Sequence, residues 1–330
     1  MSPSQPLVMA RFRLPPLPLI LLLIVYGGFI LLGLSDSIRD VAFPSIRGEF
    51  GLPLTAISSL LIVGTLGYAA ASFYSGKLAG QIGIGRLLML SALLRMSGLI
   101  GISLAPSWEL FIAAGLFFGI GGGLIDSGMN IFVSVNYGTT AMFWLHACYG
   151  IGATLGPILM NAVLGAGAAW RWGYAIAGGL HLVLLTVFFV TNTRWQAPTD
   201  AGEQPEALPA PQVRAPLART LLLPSVWVSV GLFILYTGLE VSAANLGYPL
   251  FTQARGIDPI IAGWWISAYW GMFTLGRIAA GLIVRYLNEI VFIRLSLLLT
   301  VSGAALLWAN PFSEAGILSL AAIGFGLAPV

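Results

Sequence analysis

Apolar runs of 20 or more residues recur along the whole chain, each long enough to cross a bilayer as a helix. They predict spans at about 18–42, 54–76, 86–105, 109–135, 141–165, 171–192, 224–251, 260–284, 290–309 and 316 to the end. Residues 193–220 interrupt the series with Pro198, Pro205, Pro209, Pro211 and Pro216 among Asp200, Glu203, Glu206, Arg214 and Arg219. Such a segment does not insert in lipid and reads as a solvated linker. The pattern predicts an all-α polytopic membrane protein: a six-helix bundle within 1–192, a linker at 193–220 and a second bundle from 221 to 330.

The polar positions inside those runs carry the functional argument. Asp126 stands deep in the run from about Leu110 to Val135, within the glycine-rich stretch from Gly119 to Asn130. A carboxylate at the middle of a membrane helix costs roughly 2.5–3.5 kcal/mol even on a lenient insertion scale. Asp126 therefore needs a water-filled cavity, a partner or a proton. Asn130 follows one turn later on the same face. Gly119, Gly122 and Gly123 let a neighbouring helix approach closely or leave room for passage.

Composition agrees with a membrane protein: 58% of the 330 residues are hydrophobic and 8% charged, where soluble domains carry about a quarter charged. The net charge of +3 arises from short loops and gives no sign of a nucleic-acid partner. Cys148 is the single cysteine, which excludes an intrachain disulfide and offers no metal cluster. Arg11 and Arg13 precede the first run as in a signal peptide, but no small-residue cleavage site follows, so a retained first span is expected. With the N-terminus in the cytoplasm, Arg11, Arg13, Lys77, Arg86, Arg194, Arg214, Arg219, Arg285 and Arg294 lie inside and Arg39, Arg47, Arg171 and Arg255 outside. This bias predicts N-terminus and linker cytoplasmic, and the plasma (inner) membrane is the expected location.

A parallel internal repeat is visible. Gly33 and Leu34 lead to Pro44 in the first span, and Gly238 and Leu239 lead to Pro249 in the seventh, at an offset of 205. Gly76 and Gly281 share that offset, and Pro53 and Pro259 nearly do. The run from Gly121 to Leu124 resembles Gly324 to Leu327 at an offset of 203. Two pseudo-symmetric six-helix halves are expected, the second truncated after about four spans, with an intact protein near ~400 residues.

Asp40, Asp126 and Glu240 fall on the first, fourth and seventh spans, the positions that line a central cavity in a two-fold arrangement of six-helix halves. Asp36 and Asp40 also fit a solvated helix end with Arg39 and Arg47 as local partners. Glu240, followed by Asn245, fits either solute binding or a structural bond between helices. His146 suits hydrogen bonding to a hydroxyl or proton relay, or a buried structural role; His181 reads as structural. Arg95 has no partner evident in the sequence, and Arg277 reads as a brace for its helix. Trp264, Trp265, Tyr269 and Trp270 read as interface anchors or packing, with one able to stack on a sugar ring. Gly76 to Arg86 reads as a tight cytoplasmic turn rather than a phosphate loop, since the lysine-serine pair is missing.

These residues resemble the major facilitator superfamily, in particular its fucose-permease-like sugar:proton symporters. Gly76, Leu78, Gly83 and Arg86 are similar to the superfamily's loop signature Gly-x-Leu-x-Asp-Arg-x-Gly-Arg, with Gly80 in place of the acid. The segments Gly33 to Pro44, Leu124 to Asn130, Leu145 to Ala153 and Tyr236 to Glu240 resemble that branch's first, fourth, fifth and seventh spans. The likeness implies Asp40 and Asp126 as proton-coupling acids and a conformational loop at Gly76, Gly83 and Arg86. Burial disfavours a charged carboxylate and cavity water favours it, so alternation between these settings can load and release a proton. Asn130, His146, Glu240 and Asn245 are the candidate solute contacts.

The expected function is proton-coupled uptake of a small polar solute such as a monosaccharide, by a monomer in the lipid bilayer with solute and protons as its partners. No cofactor or metal is implied, and no nucleophile-base constellation suggests an enzyme. Two rivals stand beside it. One is proton-antiport efflux of amphipathic compounds, whose fifth-span pattern resembles the glycines from Gly150 to Pro157. The other is a non-transporting membrane receptor or scaffold.

Overall fold

A computed structural model describes residues 17–137, 139–195, 222–283, 289–312 and 314–328. They form ten α-helices: α1 (Leu17–Phe50), α2 (Ile57–Ile82), α3 (Ile84–Leu104), α4 (Trp108–Asn136), α5 (Thr139–Gly165), α6 (Arg171–Thr191), α7 (Pro224–Pro249), α8 (Pro259–Ile283), α9 (Glu289–Ala309) and α10 (Ala315–Leu327). A π-helical turn, Leu250–Ala254, continues α7. No strand occurs among the described residues. In hydrocarbon the helix satisfies every backbone donor within its own segment, so these sequences have no cheaper alternative.

Eight of the helices are long and apolar enough to span a membrane, against the ten spans expected. In α8, Trp264, Trp265, Tyr269, Trp270 and Arg277 dilute the apolar character, and α10 has 13 described residues. Most of the expected linker lies outside the described residues.

The turn expected between Gly76 and Arg86 is much shorter than that. Helix α2 runs through Gly76 to Ile82 and α3 begins at Ile84, leaving Gly83 alone outside both helices. Its φ of 83° lies in the region that glycine enters freely, and this is what lets the chain reverse in one residue. Gly76 is exposed inside α2 and Arg86 exposed in the first turn of α3.

Glycine sets the closest helix contacts. A Cβ at Gly152 would fall on the Ile30 carbonyl, and one at Gly33 on the Tyr149 carbonyl, so α1 and α5 meet backbone to backbone. Gly156 adds the second member of a small-x-x-x-small pair, seated on the Leu34 carbonyl and Ser37 hydroxyl.

The repeat is real and its offset is uniform. Gly119 presses on the backbone of Gly64, and Gly324 on the backbone of Tyr269. Gly121 seats on Ser91 and Arg95, and Gly326 on Ser296 and Thr300. Gly98 meets Phe118 as Gly303 meets Ile323. Every partner in the second set is its counterpart's number plus 205. The alignment of Gly121 with Gly324 is thereby corrected, since Gly121 corresponds to Gly326. In these contacts helices α8 to α10 reproduce the packing of α2 to α4.

The two sets of helices are joined nearer the Phe50 end of α1. Arg39 Nε donates to Asn245 Oδ1 at 2.8 Å and Arg47 Nη2 to Gln253 Oε1 at 3.0 Å. Asn161 Nδ2 donates to the Ile260 carbonyl at 3.0 Å. Arg39 and Arg47 thus hydrogen-bond to the other set of helices, and of the local pairings expected from the sequence Arg39 keeps an electrostatic one with Asp40.

The α1–α5 contact predicts a contrast between glycines. Gly152→Ala is expected to destabilise by about 1–3 kcal/mol, the usual cost of overpacking. Gly27→Ala, where a Cβ meets nothing within 4 Å, is expected to be neutral or to stabilise by up to about 1 kcal/mol. Thermal unfolding in detergent, followed by fluorescence, checks both.

Candidate functional site

Arg95 is the organising charge of the region between the helices. Its side chain is 1% exposed, near the middle of α3. Nη2 forms an ion pair with Asp36 of α1 and donates to Ser35 Oγ at 2.9 Å. Nη1 donates to the Phe118 carbonyl of α4 at 2.9 Å, and the guanidinium lies 3.4 Å from the centre of the Phe118 ring. A guanidinium stays charged, so burial at this depth requires such a full set of acceptors. Asp36 also accepts from Tyr149 Oη of α5 at 3.2 Å. The partner of Arg95 is therefore Asp36, the acid that the resemblance passed over in favour of Asp40.

Asp126 has a different setting. Its Oδ2 accepts from Tyr68 Oη of α2 at 2.7 Å, and its Oδ1 from Asn130 Nδ2 at 3.0 Å. Asn130 also donates to the Asp126 carbonyl at 2.9 Å, one turn back on its own helix. Asp126 is half-buried, is not turned fully outward, and is held by a phenol and an amide. The glycines of α4 make this possible: a Cβ at Gly123 would fall on the Tyr68 carbonyl, and one at Gly122 would sit 3.3 Å from the Tyr68 ring.

Asp40 is 1% exposed and accepts from Trp270 Nε1 of α8 at 2.8 Å, across the boundary between the two sets of helices. Trp270 was expected as an anchor or packing residue; here the indole bonds an acid. Glu240 is half-buried on α7, within electrostatic reach of Tyr236 and Arg277. Arg277 lies 4.3 Å from the Phe273 ring centre, consistent with the brace expected of it. Asn245 is buried, accepting from Arg39 and donating to the Val241 carbonyl. His146 is exposed, its ring edge-on to Phe29, within electrostatic reach of Asp126 and Arg277. His181 is fully buried with Nδ1 2.9 Å from the Ala177 carbonyl.

A cavity of about 260 Å³ lies among these groups. That is a little below the roughly 300–1,000 Å³ of typical small-molecule sites. Asp36, Asp40, Tyr68, Tyr149, Glu240, Asn245 and Trp270 all reach it. Asp126, Asn130 and His146 do not line it. Tyr68 is the bridge: it lines the cavity, and its hydroxyl bonds Asp126. The structure thus gathers Asp40, Glu240 and Asn245 around one space and sets Asp126 and Asn130 behind a phenol. Gly76, Gly83 and Arg86 belong to the α2–α3 junction and take no part in this cavity.

Two sets of apolar helices around a shared polar cavity define a multi-pass membrane protein. The chain belongs to the Major Facilitator Superfamily, whose family model matches residues 25–330. Bypass of stop codon protein 6 of Saccharomyces cerevisiae is 21% identical over 280 residues, covering 79% of this chain and 56% of that protein. Sodium-dependent glucose transporter 1 of Homo sapiens is 21% identical over 286 residues, covering 76% of this chain and 54% of that one. The chain thus spans about half the length of these curated relatives. The crystal structure of a D-xylose-proton symporter superposes with a TM-score of 0.68 at 15% identity, covering 94% of this chain and 80% of that one.

Breaking the Arg95–Asp36 pair from one side leaves a buried charge. Arg95→Met is expected to destabilise by about 3 kcal/mol, the low end for a buried pair because Asp36 is 28% exposed. Combining it with Asp36→Asn should recover most of that loss. Melting temperatures of the single and double variants check the cycle.

Proposed function

We propose that this chain carries a small, hydroxyl-rich solute of the monosaccharide class across the plasma (inner) membrane, coupled to protons, by alternating access. The observation that carries the reading is the company kept by its acids. Asp36 is ion-paired with a permanent cation, whereas Asp126 is held by neutral phenol and amide donors and Asp40 by a neutral indole, with Arg39 within electrostatic reach of Asp40 but hydrogen-bonded to Asn245. A carboxylate outside an ion pair can lose its own charge to a proton without breaking one. Asp40 and Asp126 are therefore the proton-carrying acids of the reading. The cavity offers hydroxyl, amide and carboxylate groups with aromatic faces, a lining suited to hydroxyl groups and a sugar ring. The glucose transporter among the relatives supports that class of solute.

The halves are the domains proposed from the sequence: residues 1–192 and 221–330, joined by a cytoplasmic linker at 193–220. With the N-terminus in the cytoplasm, the Phe50 end of α1 faces outward. The bonds of Arg39, Arg47, Asn161 and Trp270 between the two sets then close the outer side, the state from which solute leaves inward. Rocking of one set against the other about the cavity would break those bonds and open the opposite side. The protein works as a monomer in this scheme, with no cofactor and no enzymatic step.

The test uses proteoliposomes of the full-length protein in sodium-free buffer. Addition of D-glucose or D-xylose is expected to alkalinise the outer medium, as proton symport requires. Asp126→Asn should retain exchange of labelled sugar between the two sides and lose accumulation driven by a proton gradient. Proton release on sugar addition, or unchanged pH-driven accumulation in Asp126→Asn, overturns the reading.

A further inference from the structure

We infer that Tyr68 is the residue through which the charge on Asp126 is felt in the cavity: it switches from hydrogen-bond acceptor to donor toward the solute when Asp126 takes up a proton. The inference rests on the reading of Asp126 as a proton-carrying acid and adds the residue that joins that acid to the solute.

The geometry leaves Tyr68 little choice. Tyr68 lines the cavity, and its hydroxyl lies 2.7 Å from Asp126 Oδ2. A phenol has one hydrogen to donate and lone pairs to accept with. An ionised carboxylate only accepts, and Asp126 Oδ1 already accepts from Asn130 at 3.0 Å. While Asp126 is charged, the Tyr68 hydrogen must point at Oδ2, so the cavity meets only the lone pairs of the phenol. A proton arriving from water on Oδ2 reverses the bond. The new Oδ2–H donates to the Tyr68 oxygen, and the hydrogen of Tyr68, which never leaves it, turns free to donate into the cavity. No other proton moves. A solute oxygen that can only accept, such as a sugar ring oxygen, gains a donor only in the protonated state.

The seat is built to hold this arrangement. Gly122 and Gly123 bring α4 against the ring and backbone of Tyr68, which fixes the phenol between acid and cavity. The charged and titratable groups that face the pair come from the adjoining helices: Asp36 of α1, Arg95 of α3, and His146 and Tyr149 of α5, while Asn130 of α4 adds a neutral amide. Arg95 is already paired with Asp36, so that ion pair forms a fixed background to the switch. His146 carries an imidazole, and His146→Gln is the control for it; Asp40, the other proton-carrying acid of the reading, lines the same cavity, and Asp40→Asn is the control for that.

Two measurements on full-length protein test the inference. In the first, D-glucose and D-xylose affinities are measured by isothermal titration between about pH 5.5 and about pH 8.5, a window bounded by ordinary carboxylate and amine titrations. Wild type is expected to bind about tenfold more tightly at the acid end, the worth of one added hydrogen bond. Tyr68→Phe should lose that pH dependence, with affinity constant to within about twofold. A Tyr68→Phe variant that weakens equally at every pH marks Tyr68 as a plain contact and overturns the inference. If Asp126→Asn flattens the profile and Tyr68→Phe does not, the inference falls while the proton reading of Asp126 stands. If Asp126→Asn leaves the profile intact, the proton reading itself falls, and the inference with it. In the second, infrared difference spectra follow pH without added sugar. A protonated-carboxyl band missing in Asp126→Asn should titrate together with a phenol C–O band missing in Tyr68→Phe. Independent titration of those bands overturns the inference even where neither sugar binds, and absence of sugar binding counts against the monosaccharide class alone.

Discussion

A guanidinium that cannot be discharged, enclosed among α1, α3 and α4, is the constraint from which the polar interior follows. Arg95 needs acceptors on several sides at once, and it finds them in Asp36 and Ser35 of α1 and in the Phe118 carbonyl of α4. Meeting those acceptors sets the rotation of α1 and the approach of α4, helped by Gly121, which lets α4 lie directly on the α3 backbone at Arg95. Once α1 is turned so that Asp36 meets Arg95, Asp40 one turn on is carried toward α8 and Trp270. Once α4 is pressed on α3 and α2, Asp126 is carried to Tyr68. One permanent charge thus positions two acids whose own hydrogen-bond donors are neutral.

The repeat shows what is scaffold and what is chemistry. The glycine contacts recur at the same offset in both sets of helices, so the backbone geometry is shared. The polar groups are not. Arg95 corresponds to Thr300, Asp40 to Asn245, Asp36 to Val241 and Ser35 to Glu240. The second set meets the first with neutral donors and acceptors, apart from Glu240 and its neighbours Tyr236 and Arg277. Two equivalent bundles therefore face each other with unequal surfaces, and the cavity inherits that inequality.

Much of this was legible in the sequence, for a definite reason. A membrane interior makes polar residues conspicuous, so Asp126, Asp40, Glu240 and Asn245 stood out from their apolar runs, and the repeat of glycine and proline announced the fold. What stayed hidden was pairing. Arg95 and Asp36 are 59 residues apart, and only the rotation of α1 against α3 brings them together. Tyr68 and Trp270 were obscured by a different ambiguity, because aromatic residues in membrane helices serve packing and interfaces as readily as hydrogen bonding. A signal for Tyr68 existed: Gly64 and Ser72 lie four residues before and after it on one face, both meeting α4. The α2–α3 junction looks in the sequence like a longer glycine-rich turn, since glycine frequency alone does not separate a turn from a close-packed helix.

That junction has a mechanical side. Backbone hydrogen bonds continue up to and away from Gly83, from its own N–H to Ala79 and from Leu87 back to its carbonyl, so no slack separates the two helices. A swing of α2 at that end must drag α3 with it, as a knee with one short ligament moves thigh and shin together. The phenol beside Asp126 and the guanidinium beside Asp36 ride on those two helices. Neither can shift its register to the membrane without the other following.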